Sequence, residues 1–321
     1  MKIRLRQIFR NDIQTSMKKS TFALFLLLFS LLLSSTAFAQ KRKRPIAKPK
    51  AKPIVFAVIN DGQTLEPIGV IDKGELLPTV GGSDEEKQLK DFVAAYYRPK
   101  AVYRLVFGGA DDGTVTVKNS AVATDCAKNM AQVTAQPGKA KLKGMVMALA
   151  TNAPTKKAPG VRRLPTAAER AEIETLVRAE FVKQKVSAAA IKNMKYHNLT
   201  ALDVDADAKA ELVGSFWAEP SPDERALLFF IADKTTNGKY AFGYSDFKAI
   251  KKDEVMSGEI NALDTGVYNE LLLDALEYDG DETGEIFTYT QSFEGAGFNV
   301  YSRREGKWTK VFEGSNYHCA Y

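Results

Sequence analysis

The chain has 321 residues, with 45 Lys and Arg against 39 Asp and Glu, two His, two Cys and a net charge of +6. Its length suits two domains of ordinary size, and 45% hydrophobic residues suffice for a buried core. The positive charge is confined to the N-terminus: residues 1–39 hold six bases and one acid, and residues 40–53 hold seven bases and no acid. That leaves 32 bases against 38 acids for the rest, which argues against sequence-specific nucleic-acid binding by the folded body.

Residues 1–39 read as a signal peptide. Lys18 and Lys19 precede an apolar run from Phe22 to Leu33, and Ala37-Phe38-Ala39 has the small-x-small form of a cleavage site. The run is shorter than the ~20 residues that span a bilayer. Export to a secreted or periplasmic location follows, with no transmembrane span after cleavage. Residues 40–53 are Lys/Pro-rich and have almost no apolar anchor, so a disordered tail is expected. Residues 41–52 serve either as a solvated spacer or as an electrostatic contact to an anionic envelope component.

Residues 54–152 read as a small α+β domain. Strands are expected at Ile54–Ile59, Glu66–Ile71, Val102–Phe107, Thr114–Val117 and Lys141–Leu149, and a helix at Glu85–Tyr97 behind a Ser83/Glu86 capping box. Gly108-Gly109 lies in a hairpin connection rather than a phosphate loop, because a strand follows it instead of a helix and lysine. Residues 153–165, rich in proline and charge, read as a linker. Residues 166–321 read as a β-rich domain led by one helix. Thr166 and Glu169 form a capping box ahead of Ile173, Leu176, Val177 and Phe181 at helical spacing.

This second region carries an internal repeat. Asp203, Asp205, Asp207 and Glu211 stand at relative positions 1, 3, 5 and 9, as do Glu277, Asp279, Asp281 and Glu285, 74 residues later. Each set follows a leucine and runs into an apolar pair, Leu212-Val213 and Ile286-Phe287. Each acidic loop is expected to lead into a three-stranded meander, which makes two modules. Alternating carboxylates in a tight loop suit Ca²⁺, which takes roughly six to eight oxygens, with the position-7 carbonyls of Lys209 and Thr283 as further ligands. An EF-hand is set aside: its position 12 falls on Gly214 and Thr288, and strands flank these loops.

The stretches Leu202 to Val213 and Leu276 to Phe287 resemble the Asp-x-Asp-x-Asp-Gly-x-x-Asp/Glu loops of FG-GAP and VCBS-type repeats. The resemblance implies Ca²⁺ held between strands of β-propeller blades, in extracellular adhesion or binding proteins. It covers about half of the chain beyond residue 39. The glycine expected at position 6 is Ala208 in one copy and Glu282 in the other, and two modules are too few for a closed propeller.

Cys126 and Cys319 form a disulfide in an oxidising destination, or remain two buried thiols. His197 and His318 belong to no catalytic motif. The leading expectation is a non-catalytic, Ca²⁺-stabilised binding or envelope-associated protein. The alternative is a hydrolase that turns an acidic cluster on a saccharide or phosphate substrate.

Overall fold

The computed structural model describes residues 51–81, 85–120, 127–154 and 161–318. The signal segment, nearly all of the basic tail, Ser83, Cys126 and Cys319 lie outside the described residues.

The first half is a closed β-barrel, which overturns the α+β expectation. Its strands are β1 (Ile54–Ile59), β2 (Thr64–Asp72), β4 (Val102–Phe107), β5 (Ala110–Ser120), β6 (Ala131–Pro137) and β7 (Ala148–Thr151). They follow the order β1-β7-β4-β5-β6-β2, and β1 also pairs with β2, which closes the ring. A short β3 (Glu75–Pro78) extends β2 outside the ring. The helix α1 (Glu86–Tyr96) exists, with Glu85 at its N-cap and no side-chain cap bond. It adds no layer of its own: Phe92, Tyr96 and Tyr97 join Phe56, Tyr103 and Leu105 in the barrel core. The expected Lys141–Leu149 strand is displaced to β7, and β6 was not anticipated.

The second half begins with the two-residue strand β8 (Arg162–Arg163), then α2 (Ala167–Lys183) and α3 (Ala188–Lys192). The capping box of α2 forms as expected, with Glu169 N–H donating to Thr166 Oγ1 and Thr166 N–H to the Glu169 carboxylate. Two antiparallel meanders follow. The first comprises β9 (Lys195–Leu202), β10 (Glu211–Ser221), β11 (Glu224–Lys234) and β12 (Tyr240–Lys251), with β8 added beside β9. The second comprises β13 (Glu270–Leu276), β14 (Glu285–Gln291), β15 (Gly295–Arg304) and β16 (Lys307–Tyr317). Each module is therefore four-stranded rather than three-stranded. The acidic loop is its first hairpin, because the strand ahead of the loop pairs with the strand after it.

The elements stack in series. One face of the first meander covers α2 and α3 through Leu212, Phe216, Leu228, Phe230, Ile173 and Phe181. Its other face meets the second meander through Leu202, Val213, Phe229, Ile286 and Tyr301. The far face of the second meander packs on the barrel exterior through Leu273, Phe287, Phe298, Val55 and Ala57. Strands β1 and β13 are thus covered on both faces, which is why every residue of each is buried. No described helix is long and apolar enough to cross a membrane.

Candidate metal centre

The loops 203–210 and 277–284 have matching backbones. The Leu202–Glu211 pair closes the first hairpin and the Leu276–Glu285 pair closes the second. In both, the position-9 glutamate turns inward and accepts the position-2 amide: Val204 N–H to Glu211 Oε2 at 3.1 Å, Tyr278 N–H to Glu285 Oε2 at 3.3 Å. In both, position 5 donates to position 3, through Asp207 N–H to Asp205 (3.2 Å) and Asp281 N–H to Asp279 (3.1 Å). In both, position 7 donates to position 5, through Lys209 N–H to Asp207 (2.7 Å) and Thr283 N–H to Asp281 (2.8 Å). Positions 4 and 6 are left-handed in each: Ala206 and Ala208 at φ 61° and 66°, Gly280 and Glu282 at φ 106° and 71°. The turn that ordinarily calls for glycine at position 6 is made without it.

Position 1 is the point of divergence. Asp203 Oδ2 accepts from Ala208 N–H at 3.2 Å, whereas Glu277 Oε1, one methylene longer, accepts from Gly280 N–H at 2.6 Å.

In each loop three of the four expected carboxylates converge, and not the same three, since Glu285 stands outside the second group. Asp203, Asp205 and Glu211 each bring a ligand atom within 4.8 Å of the others, and so do Glu277, Asp279 and Asp281. Asp207 stands outside the first group, paired with its neighbour Lys209 at 3.0 Å. Asp203 is 5% exposed and Glu285 is 1% exposed, yet Asp203 Oδ1 and Glu285 Oε1 accept no hydrogen bond. A buried carboxylate oxygen with no donor carries a desolvation cost that a cation offsets. Burial, with Asp205 nearby, pushes Glu211 up to about 7. Burial, with Asp279 and Asp281 nearby, pushes Glu285 further, to about 9.

Sequence reasoning missed three residues here. Arg303, at the end of β15, ion-pairs with Asp205 and reaches Glu211 at 3.2 Å and Asp233 at 3.5 Å. Trp308 donates its indole N–H to Asp233 at 2.9 Å and lies beneath the guanidinium at 5.6 Å. The contacts of Arg303 and Trp308 to the acids span 70 to 98 residues of sequence, so local spacing contains no trace of them. The loops also touch each other, since Gly284 N–H donates to Val204 O at 2.8 Å.

Both histidines have packing partners. His197 stacks on Trp217 and meets the Leu263 carbonyl at 3.2 Å, and burial lowers its pKa. His318 lies 2.5 Å from buried Glu66. The Gly108-Gly109 turn does bind an anion, but an internal one: the two amides donate to Asp274 at 3.0 and 2.8 Å. No family model, curated protein or solved structure matches the chain.

Proposed function

We propose that the acidic loops form a divalent-cation centre, with Ca²⁺ the first choice, in an exported, non-catalytic binding or envelope-associated protein. The cation fastens one end of the two packed meanders. The observation that carries this reading is the pair of buried carboxylate oxygens without donors, Asp203 Oδ1 and Glu285 Oε1, in two loops of matching backbone. Hard carboxylate oxygens without imidazole or thiolate favour Ca²⁺ over transition metals. The inward-turned Glu211 and Glu285 already hold backbone amides, which suits a structural site better than general acid/base work in an open cleft. The basic residues 41–52 would supply contact with an anionic envelope component.

The test is a thermal melt in CaCl₂ and in EGTA. At a hundredfold excess over Kd, a single site contributes about 2.7 kcal/mol, which corresponds to roughly 5–10 °C for a domain of this scale. That shift is expected to disappear in Asp279→Ala. Equal melting points with and without the ion would overturn the reading.

A further inference from the structure

The two loops share a backbone but not a charge environment. In the first, a guanidinium already sits among the acids. Arg303 contacts Asp205, lies 3.2 Å from Glu211 and 3.5 Å from Asp233, and is held in place by the Trp308 ring beneath it. The arginine is mostly buried, at 19% side-chain exposure. It is a permanent cation, because guanidinium does not deprotonate in proteins. Asp205 and Glu211 are two of the three convergent acids of this loop. An ion entering the first loop would have to take both from Arg303 and leave that charge buried among fewer acids.

In the second loop the convergent acids are Glu277, Asp279 and Asp281, with Glu285 beside them; Asp279, Asp281 and Glu285 have no lysine or arginine at ion-pair distance among the described residues. Glu285 is the most deeply buried acid of either loop and retains an oxygen without a donor. The same fold element thus holds a guanidinium among its acids in one copy and leaves Asp279 and Asp281 without one in the other.

We infer that the chain binds a single divalent cation, in the second loop, and that Arg303 stands in for a second cation in the first. The first loop then folds without metal. Through the Gly284–Val204 hydrogen bond it presents a finished edge against which the second loop is ordered by its ion. The inference rests on the cation reading proposed above and adds its stoichiometry, its location and the role of Arg303.

Isothermal titration of the full chain with CaCl₂ tests both, and the outcomes separate them. One ion is expected for the unmodified chain, none for Glu285→Gln and one still for Asp205→Asn. Arg303→Gln is expected to take up two ions, because it frees Asp205 and Glu211. Two ions in the unmodified chain, or loss of the ion in Asp205→Asn with retention in Glu285→Gln, would overturn this inference and leave the cation centre standing. One ion in a folded Arg303→Gln would overturn the stand-in role. No uptake by either the unmodified chain or Arg303→Gln would sink the cation centre itself. If Arg303→Gln does not fold without metal, the comparison of Asp205→Asn with Glu285→Gln still decides which loop binds.

Discussion

Gly284 N–H donates to the carbonyl oxygen of Val204 at 2.8 Å, and this bond joins the acidic loop of one meander to that of the other. Val204 is also part of the apolar seam between the two sheets, so the bond continues the seam up to the loops. A Cβ at Gly284 would sit 3.4 Å from Ala275 Cβ and 3.5 Å from Val204 O, which is ordinary contact. Gly284→Ala should therefore change urea-unfolding stability by less than about 0.5 kcal/mol. Gly284→Pro removes the donor and should cost about 1 kcal/mol or more. Equal effects of the two substitutions would mean that the hydrogen bond does not contribute.

Asp274 ties together three parts of the chain. It is fully buried on β13 and accepts from Gly108 and Gly109 of the barrel, from its neighbour Ala275, and from Arg162 of β8 at 2.6 Å. Arg162 also donates to the Met147 and Leu273 carbonyls and lies 4.3 Å over the Phe107 ring. Removing one partner of a buried pair leaves the other charge uncompensated, at a cost of about 3–5 kcal/mol. Asp274→Ala should lower stability by that amount, and two glycine amides lose their acceptor as well. A loss below 1 kcal/mol in urea titration would show that water replaces the carboxylate there.

Position 6 of each loop is strained. Ala208 at φ 66° and Glu282 at φ 71° occupy the left-handed region, which costs an ordinary residue roughly 1–2 kcal/mol. Glycine removes that strain but gives back about 0.5–1 kcal/mol of unfolded-state entropy. Ala208→Gly and Glu282→Gly should each stabilise the metal-free protein by about 0.5–1 kcal/mol, read from urea midpoints at constant slope. Destabilisation by both would mean that the left-handed turn is not adopted in solution.

Parts of this structure were legible in the sequence because they are local. The strand Ile54–Ile59, a hairpin after Phe107 (tighter than expected, with the next strand starting at Ala110 rather than Thr114) and the Thr166/Glu169 capping box each follow from residues within a few positions of one another. The convergence of three acids in each loop was legible for the same reason, since the hairpin pairs Leu202–Glu211 and Leu276–Glu285 bring them together, but which acid would stand aside was not. Barrel closure was not legible. It depends on Val55 pairing with both Gly69 and Thr151, and nothing around Val55 announces the second partner. Strand β6 was missed because its sequence, AQVTAQP, is polar and short of β-branched residues. Strand β13, ELLLDAL, shows no alternation because sheets cover both its faces, and the Gly108, Gly109 and Arg162 donors to its buried Asp274 lie more than 100 residues away. The role of Arg303 is hidden in the same way.

The capping box of α2 gives the clearest dependence on pH. Glu169 accepts two guanidinium bonds from Arg163, at 2.7 and 2.8 Å, and the Thr166 amide at 2.7 Å. The Arg163 bonds, with the Thr166 bonds beside them, hold its carboxyl down at about 2, against an ordinary 4.5. The folded state therefore binds fewer protons than the unfolded state between these values, and its stability falls as pH falls. The contribution is complete above about 4.5 and is lost as the pH drops through about 2. Glu169→Gln removes the charge at every pH. At pH 7 the variant should be less stable by about 1 kcal/mol, the usual scale of a cap with one surface ion pair. The gap between the two proteins should narrow steadily from pH 5 to pH 2, because other acids titrate equally in both. Urea melts at pH 7, 4 and 2.5 measure it, and a gap that stays constant or widens toward acid would show that the Arg163–Glu169 pair contributes no charge-dependent stability.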